Sequence, residues 1–116
     1  GCKYSQEHRY EEGYYDCSSL VQRLYQEVGI SLPAIASTQG EFMVTHGLEV
    51  TEGELEPGDL IFYSYEQNGQ FRNISHVAIY VGNGRMVHAA NSRRGVVNDP
   101  FNPSNIGLYG RPNRLQ

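Results

Sequence analysis

Absences narrow this sequence before its motifs do. It has no tryptophan, only two cysteines, and nine Lys plus Arg against thirteen Asp plus Glu, for a net charge of -4. No cluster of basic residues stands out, which argues against nucleic-acid binding, because neutralising phosphates takes a basic face. No apolar run approaches the ~20 residues that cross a bilayer. Two cysteines are too few for a disulfide scaffold, so the redox compartment stays open. The close ligand pairs that announce zinc, C-x-x-C or H-E-x-x-H, are missing. So is the G-x-S-x-G elbow of a serine hydrolase. No signal-peptide pattern follows the opening Gly1-Cys2, so any targeting segment is expected outside this chain. What remains, 116 residues of which 39% are hydrophobic, suits one compact domain over 1–116.

The stretch Tyr14-Tyr15-Asp16-Cys17-Ser18-Ser19-Leu20-Val21 puts a cysteine where a loop enters an amphipathic helix. Leu20, Val21, Leu24, Tyr25 and Val28 recur at helical spacing, and Gly29 ends the pattern. Asp16 and Ser18 both suit the helix entry as caps, which sets Cys17 in or beside the first turn. A thiol there meets the positive end of the helix dipole, which favours thiolate over thiol. Burial as a small core residue is the competing reading of a lone cysteine. Upstream, the first sixteen residues are polar and tyrosine-rich and read as an irregular lead-in. Downstream, Pro33 interrupts, a short helix is expected over 37–44 with Phe42 and Met43 buried, and the acidic 50–56 reads as a surface loop before the Pro57-Gly58 turn.

Strands follow. Residues 59–65, 75–81 and 85–90 are β-rich, with a turn around Asn68-Gly69 and a hairpin turn at Gly82-Asn83-Gly84. Shorter strands are expected at 95–97 and 108–111, with Asn/Pro-rich turns between them. Helices first and an antiparallel sheet after them give an α+β class. Of the four histidines, His8 and His46 lie in loop-like contexts and read as solvated. His76 opens one strand and His88 sits late in the next, so the hairpin brings them together near its open end. One imidazole can then act as base for a thiol while the other holds its tautomer. Two partly exposed strand-end histidines with ordinary polar contacts are the competing reading, and a zinc site built from Cys17, His76 and His88 is a weaker one.

Five blocks, taken in order, carry a resemblance. They are Tyr15-Asp16-Cys17-Ser18-Ser19-Leu20-Val21, Leu32-Pro33 with Gln39, Leu55-Glu56-Pro57-Gly58-Asp59-Leu60-Ile61-Phe62, Ile74 through Gly84, and Met86-Val87-His88-Ala89. Together they resemble the NlpC family of papain-like cell-wall peptidases over nearly the whole chain. The resemblance implies a papain-like α+β fold, with N-terminal helices packed on an antiparallel sheet. It implies Cys17 as nucleophile, His76 as general base and His88 as the residue orienting that imidazole. It further implies Tyr4 as an oxyanion donor, and Asp16 and Ser18 as receivers of the substrate's N-terminal side. The implied substrate is a peptidoglycan stem peptide, cut between D-γ-glutamyl and meso-diaminopimelate or L-lysine through a thioester. No metal or organic cofactor is implied. A secreted or envelope location and a monomer are expected.

The sequence also departs from that pattern. Ser19 stands where the family usually shows glycine, and residues 7–13 replace its aromatic-Gly-Gly segment, so specificity is least secure there. Cys2 lies outside the pattern, either as a bystander thiol or as a partner for Cys17 under oxidation. Asp59 reads as a turn and strand-start residue rather than a chemical one. Two alternatives stay open: an N-acetylmuramoyl-L-alanine amidase, or a catalytically silent wall-binding module of the same fold.

Overall fold

A computed structural model describes residues 17–91 and 95–115 of the chain. Two helices, α1 (Cys17–Glu27) and α2 (Ala36–Thr45), precede six strands: β1 (Glu49–Val50), β2 (Leu60–Tyr63), β3 (His76–Gly82), β4 (Arg85–Asn91), β5 (Gly95–Pro100) and β6 (Ile106–Gly110). The strands form one antiparallel sheet in the order β1-β6-β2-β3-β4-β5. This is the α+β, papain-like arrangement that the sequence leads one to expect.

Strand alternation divides the core between the two faces. Leu60, Phe62, Val77, Ile79, Ala89 and Leu108 join Val21, Tyr25 and Met43 of the helices in the larger cluster. Ile61, Tyr63, Ala78, Met86 and Tyr109 form a second cluster on the opposite face. Helix α1 packs on β3 and β4, the hairpin that carries both strand histidines. Its buried stripe is narrower than the sequence pattern suggests: Leu24 and Val28 are 40% and 52% exposed. Leu24 flanks the stripe of Cys17, Val21 and Tyr25, and Val28 falls beyond the last helical residue. Helix α2 reaches β6 closely because Gly110 has no side chain, and a Cβ there would lie 2.4 Å from Met43 Cγ. The acidic 50–56 segment contains the end of β1 and a single 3-10 turn at Glu52–Glu54. The strand at the sheet edge is longer than expected, with β5 running through the Asn98-Asp99-Pro100 segment read from sequence as a turn.

Three side chains brace the helices and the start of β2, which lies at the sheet end opposite His76. The Tyr25 hydroxyl donates to the Gly58 carbonyl. Gln39 Nε2 donates to the carbonyls of Ser18 and Pro33, both at 2.9 Å, so α2 holds the first turn of α1. Asp59 is buried and accepts from the Glu56 N–H at 2.8 Å and from Arg111 Nε and Nη2, each at 2.9 Å. That pattern agrees with a structural role for Asp59. Replacing it with alanine leaves Arg111 its bonds to the Glu54 carbonyl and Glu56 but leaves the Glu56 N–H unpaired, and urea denaturation is expected to show a loss of about 1–2 kcal/mol.

Candidate active site

Cys17 is the first described residue of the chain and lies in helix α1, and the capping expected of Asp16 or Ser18 would set its thiol near the first-turn N–H groups. Cys17 is 6% exposed and belongs to the helix-side core. Ser18 and Ser19 beside it are also buried, and serine at position 19 is thus accommodated in a close-packed first turn.

The two histidines come together through strand register. In the β3–β4 hairpin, Ile79 faces Val87 and Tyr80 faces Met86 across a turn in which Asn83 and Gly84 both have positive φ, 54° and 69°. This is the backbone geometry of a tight two-residue hairpin turn, which asparagine and glycine accept most readily. Continuing the register makes His76 and His88 diagonal neighbours on one face. His76 Nε2 lies 2.8 Å from His88 Nδ1, with the rings edge to face and 5.0 Å apart. The arrangement steps once more across the sheet: His88 Nε2 lies 2.9 Å from Asp99 Oδ2 on β5. Register again explains it, because His88 faces Val97 and Asp99 is two residues further on. His88 is 8% exposed, whereas His76 is half-buried.

Two tyrosines complete the surroundings. The Tyr63 ring is 5.9 Å from that of His76, and its hydroxyl donates to the Asn102 carbonyl at 2.7 Å. Burial, with Tyr65 next, pushes Tyr63 up to about 12, so it stays a neutral donor. Tyr65, 51% exposed, stacks on Tyr63 at 5.6 Å and lies 6.3 Å from the His76 ring. Burial raises its pKa, and the charge of Cys17 raises it further. Tyr65 is an exposed aromatic beside the first histidine.

Burial and then the neighbouring His88 lower His76 from 6.5 to about 4. At neutral pH it is an uncharged imidazole. Between those two values the unfolded chain binds a proton that the folded chain refuses, so stability is lost as pH falls from about 6.5 to 4. Urea unfolding of the wild type is expected to lose on the order of 2 kcal/mol over this window relative to His76→Gln, allowing for the partial exposure of the ring.

Of the site residues expected from sequence, His76 and His88 are in contact, and Cys17 lies buried on α1, the helix packed on the strands of both. Ser18 is buried, with its carbonyl held by Gln39. Tyr4, Asp16 and Cys2 lie outside the described residues, as does His8. His46 is exposed and stacks on Phe42 at 4.0 Å, as a solvated histidine would. Asp99 and Tyr65 were not marked by the sequence. Asp99 was hidden in an apparent Asn/Pro turn, and Tyr65 was legible only through its two-residue spacing from Tyr63. Among the described residues no three His, Cys, Asp or Glu side chains are arranged to hold a metal.

Comparison with known proteins gives the family. Residues 3–106 match the model of the NlpC/P60 family. The γ-D-glutamyl-L-lysine dipeptidyl-peptidase of Bacillus cereus is 33% identical over 101 residues, covering 86% of this chain and 28% of the relative. The structure of NlpC1 from Trichomonas vaginalis superposes with a TM-score of 0.80 at 29% identity, over 96% of this chain and 39% of that one. RipD from Mycobacterium tuberculosis, described as a non-catalytic NlpC/p60 domain protein adapted to peptidoglycan binding, superposes with a TM-score of 0.67 at 26% identity, over 84% of this chain and 66% of its own. This chain spans little more than a quarter of the length of the Bacillus cereus relative. With the family model matched over nearly all its length and the fold shared, the chain belongs to the NlpC/P60 family.

Proposed function

We propose that residues 1–116 form a catalytic domain, a cysteine endopeptidase that hydrolyses peptidoglycan stem peptides at the bond between D-γ-glutamyl and the following diamino acid. The observation that carries this reading is the 2.8 Å contact of His76 Nε2 with His88 Nδ1. It leaves His76 Nδ1 as the nitrogen available to a thiol, and Cys17 lies on α1, which packs on the β3–β4 hairpin that carries both histidines. The name of the Bacillus cereus relative supports the choice of bond.

The chemistry runs in two halves. Neutral His76 takes the Cys17 proton as the sulfur attacks the γ-glutamyl carbonyl, a difference from the standing thiolate–imidazolium pair that the sequence suggests. Backbone N–H groups in the first turn of α1 stabilise the oxyanion, with the Tyr4 hydroxyl as the second donor. His76 then protonates the leaving amine of the diamino acid, leaving a thioester on Cys17. Water, deprotonated by His76, releases D-glutamate at the new C-terminus and restores the thiol. Asp16 and Ser18 receive the substrate's N-terminal side, and Tyr65 offers it an exposed aromatic face. The domain works as a monomer, in the envelope or outside the cell; among the described residues no helix is long and apolar enough to cross a membrane.

The test is digestion of purified peptidoglycan and of a soluble stem tetrapeptide, with products identified by mass spectrometry. Fragments ending in D-glutamate support the proposal. Peptides beginning at L-alanine would instead identify an amidase. Binding to peptidoglycan without cleavage would favour the silent module, a reading that the RipD relationship keeps specific.

A further inference from the structure

Asp99 goes beyond the Cys-His-His set, and we infer that it is a positioning residue that selects the tautomers of both histidines. A carboxylate can only accept a hydrogen bond, so Asp99 Oδ2, 2.9 Å away, places a proton on His88 Nε2. Neutral His88 then has a bare Nδ1, which can only accept. His76 Nε2, 2.8 Å from it, must therefore carry the His76 proton. The single remaining lone pair is on His76 Nδ1, the nitrogen available to take a proton from Cys17. One carboxylate thus orders two imidazoles, across three adjacent strands. Without it, His88 is free to carry its proton on Nδ1 and donate to His76 Nε2. The His76 proton then sits on Nδ1, the wrong position for a base. When His76 becomes an imidazolium in the reaction, its Nε2–H still donates to His88, and the Asp99 charge stabilises the couple through that bond.

Among the described residues, the titratable groups beside this pair are Asp99 on β5, Tyr63 at the end of β2 and Tyr65 just beyond it, with Cys17 of α1 electrostatically coupled to Tyr65. Both tyrosines are raised above their ordinary value, so neither supplies a charge at neutral pH. Among them Asp99 is the group that can impose a direction on the histidine hydrogen bonds. Its place on β5 is fixed by pairing of Met86 with Asp99 and of Val87 with Asn98. Arg85 braces the same segment, its Nε donating to Asn98 Oδ1 at 2.8 Å.

The inference rests on His76 acting as the base, and the experiment separates the two. Asp99→Leu and Asp99→Asn are compared with wild type by stem-peptide kinetics, by alkylation of Cys17 with iodoacetamide, and by nitrogen-15 NMR of the histidine rings at neutral pH. Wild type is expected to show protonated Nε2 and bare Nδ1 on both rings. Asp99→Leu is expected to lose about 10- to 100-fold in kcat and in Cys17 alkylation rate, with Nδ1–H forms appearing on His76 and His88. Asp99→Asn can present either its oxygen or its amide, and is expected to lose less while showing the same mixture of tautomers. If Asp99→Leu does not fold, Asp99→Asn carries the same three readings. Unchanged tautomers and an unchanged alkylation rate would overturn the inference, whatever the hydrolysis result. Absence of hydrolysis by wild type would overturn the reading of the enzyme instead, while the ring signals and the alkylation rate still judge Asp99.

Discussion

Replacing Cys17 with serine is expected to lower kcat for stem-peptide hydrolysis by about 10⁴-fold or more. The substitution is close to isosteric at a site with 6% exposure, so the fold and its melting temperature should change little. The chemistry changes because a hydroxyl holds its proton far more tightly than a thiol does, and neutral His76 is too weak a base to remove it early. The helix-terminal N–H groups that favour a thiolate give an alkoxide too little help at neutral pH. Kinetics on the soluble tetrapeptide, with circular dichroism as a folding control, check the prediction. Activity within tenfold of wild type would remove Cys17 from the mechanism.

The second large effect belongs to His76. Its replacement by glutamine is expected to cost about 10³-fold in kcat, within the range for loss of a general acid–base. Glutamine keeps an amide N–H that can reach His88 Nδ1, so the local hydrogen bond survives while the basic Nδ1 is lost. The alkylation of Cys17 should slow as well if His76 is the base that takes the thiol proton. KM is expected to move less than kcat, since His76 is half-buried between Tyr65 and His88 and offers little surface for ground-state binding. An equal loss in both parameters, with alkylation unaffected, would make His76 a binding residue.

Much of this site was legible before any coordinates, and the reasons are local. Cys17 is marked by a polar stretch running into an apolar helical period, and it lies in α1. The His76–His88 contact follows from counting across the Gly82-Asn83-Gly84 turn, because a tight hairpin fixes register by itself. That the two imidazoles share one face depends on the one-residue register shift at Tyr80/Gly82, without which they would lie on opposite faces. Asp99 was hidden for a different reason. Its strand pairs with β4 in a register that no local pattern encodes, and Asn98-Asp99-Pro100 carries the residue types of a turn. Leu24 and Val28 show the converse: their spacing fits a buried stripe, yet the sheet covers only part of α1. The strand order, with β6 between β1 and β2, is long-range pairing that no local pattern encodes.

The central claim is that hydrolysis runs through the Cys17 thiol with His76 as its base. The most direct measurement titrates the domain, in a Cys2→Ser background, with iodoacetamide, and follows peptide-mapped modification and residual hydrolysis in the same samples. The account predicts that activity falls in proportion to Cys17 modified and reaches zero at one equivalent per chain. It also predicts that a saturating stem peptide protects the thiol. Fully alkylated Cys17 with hydrolysis retained would contradict it.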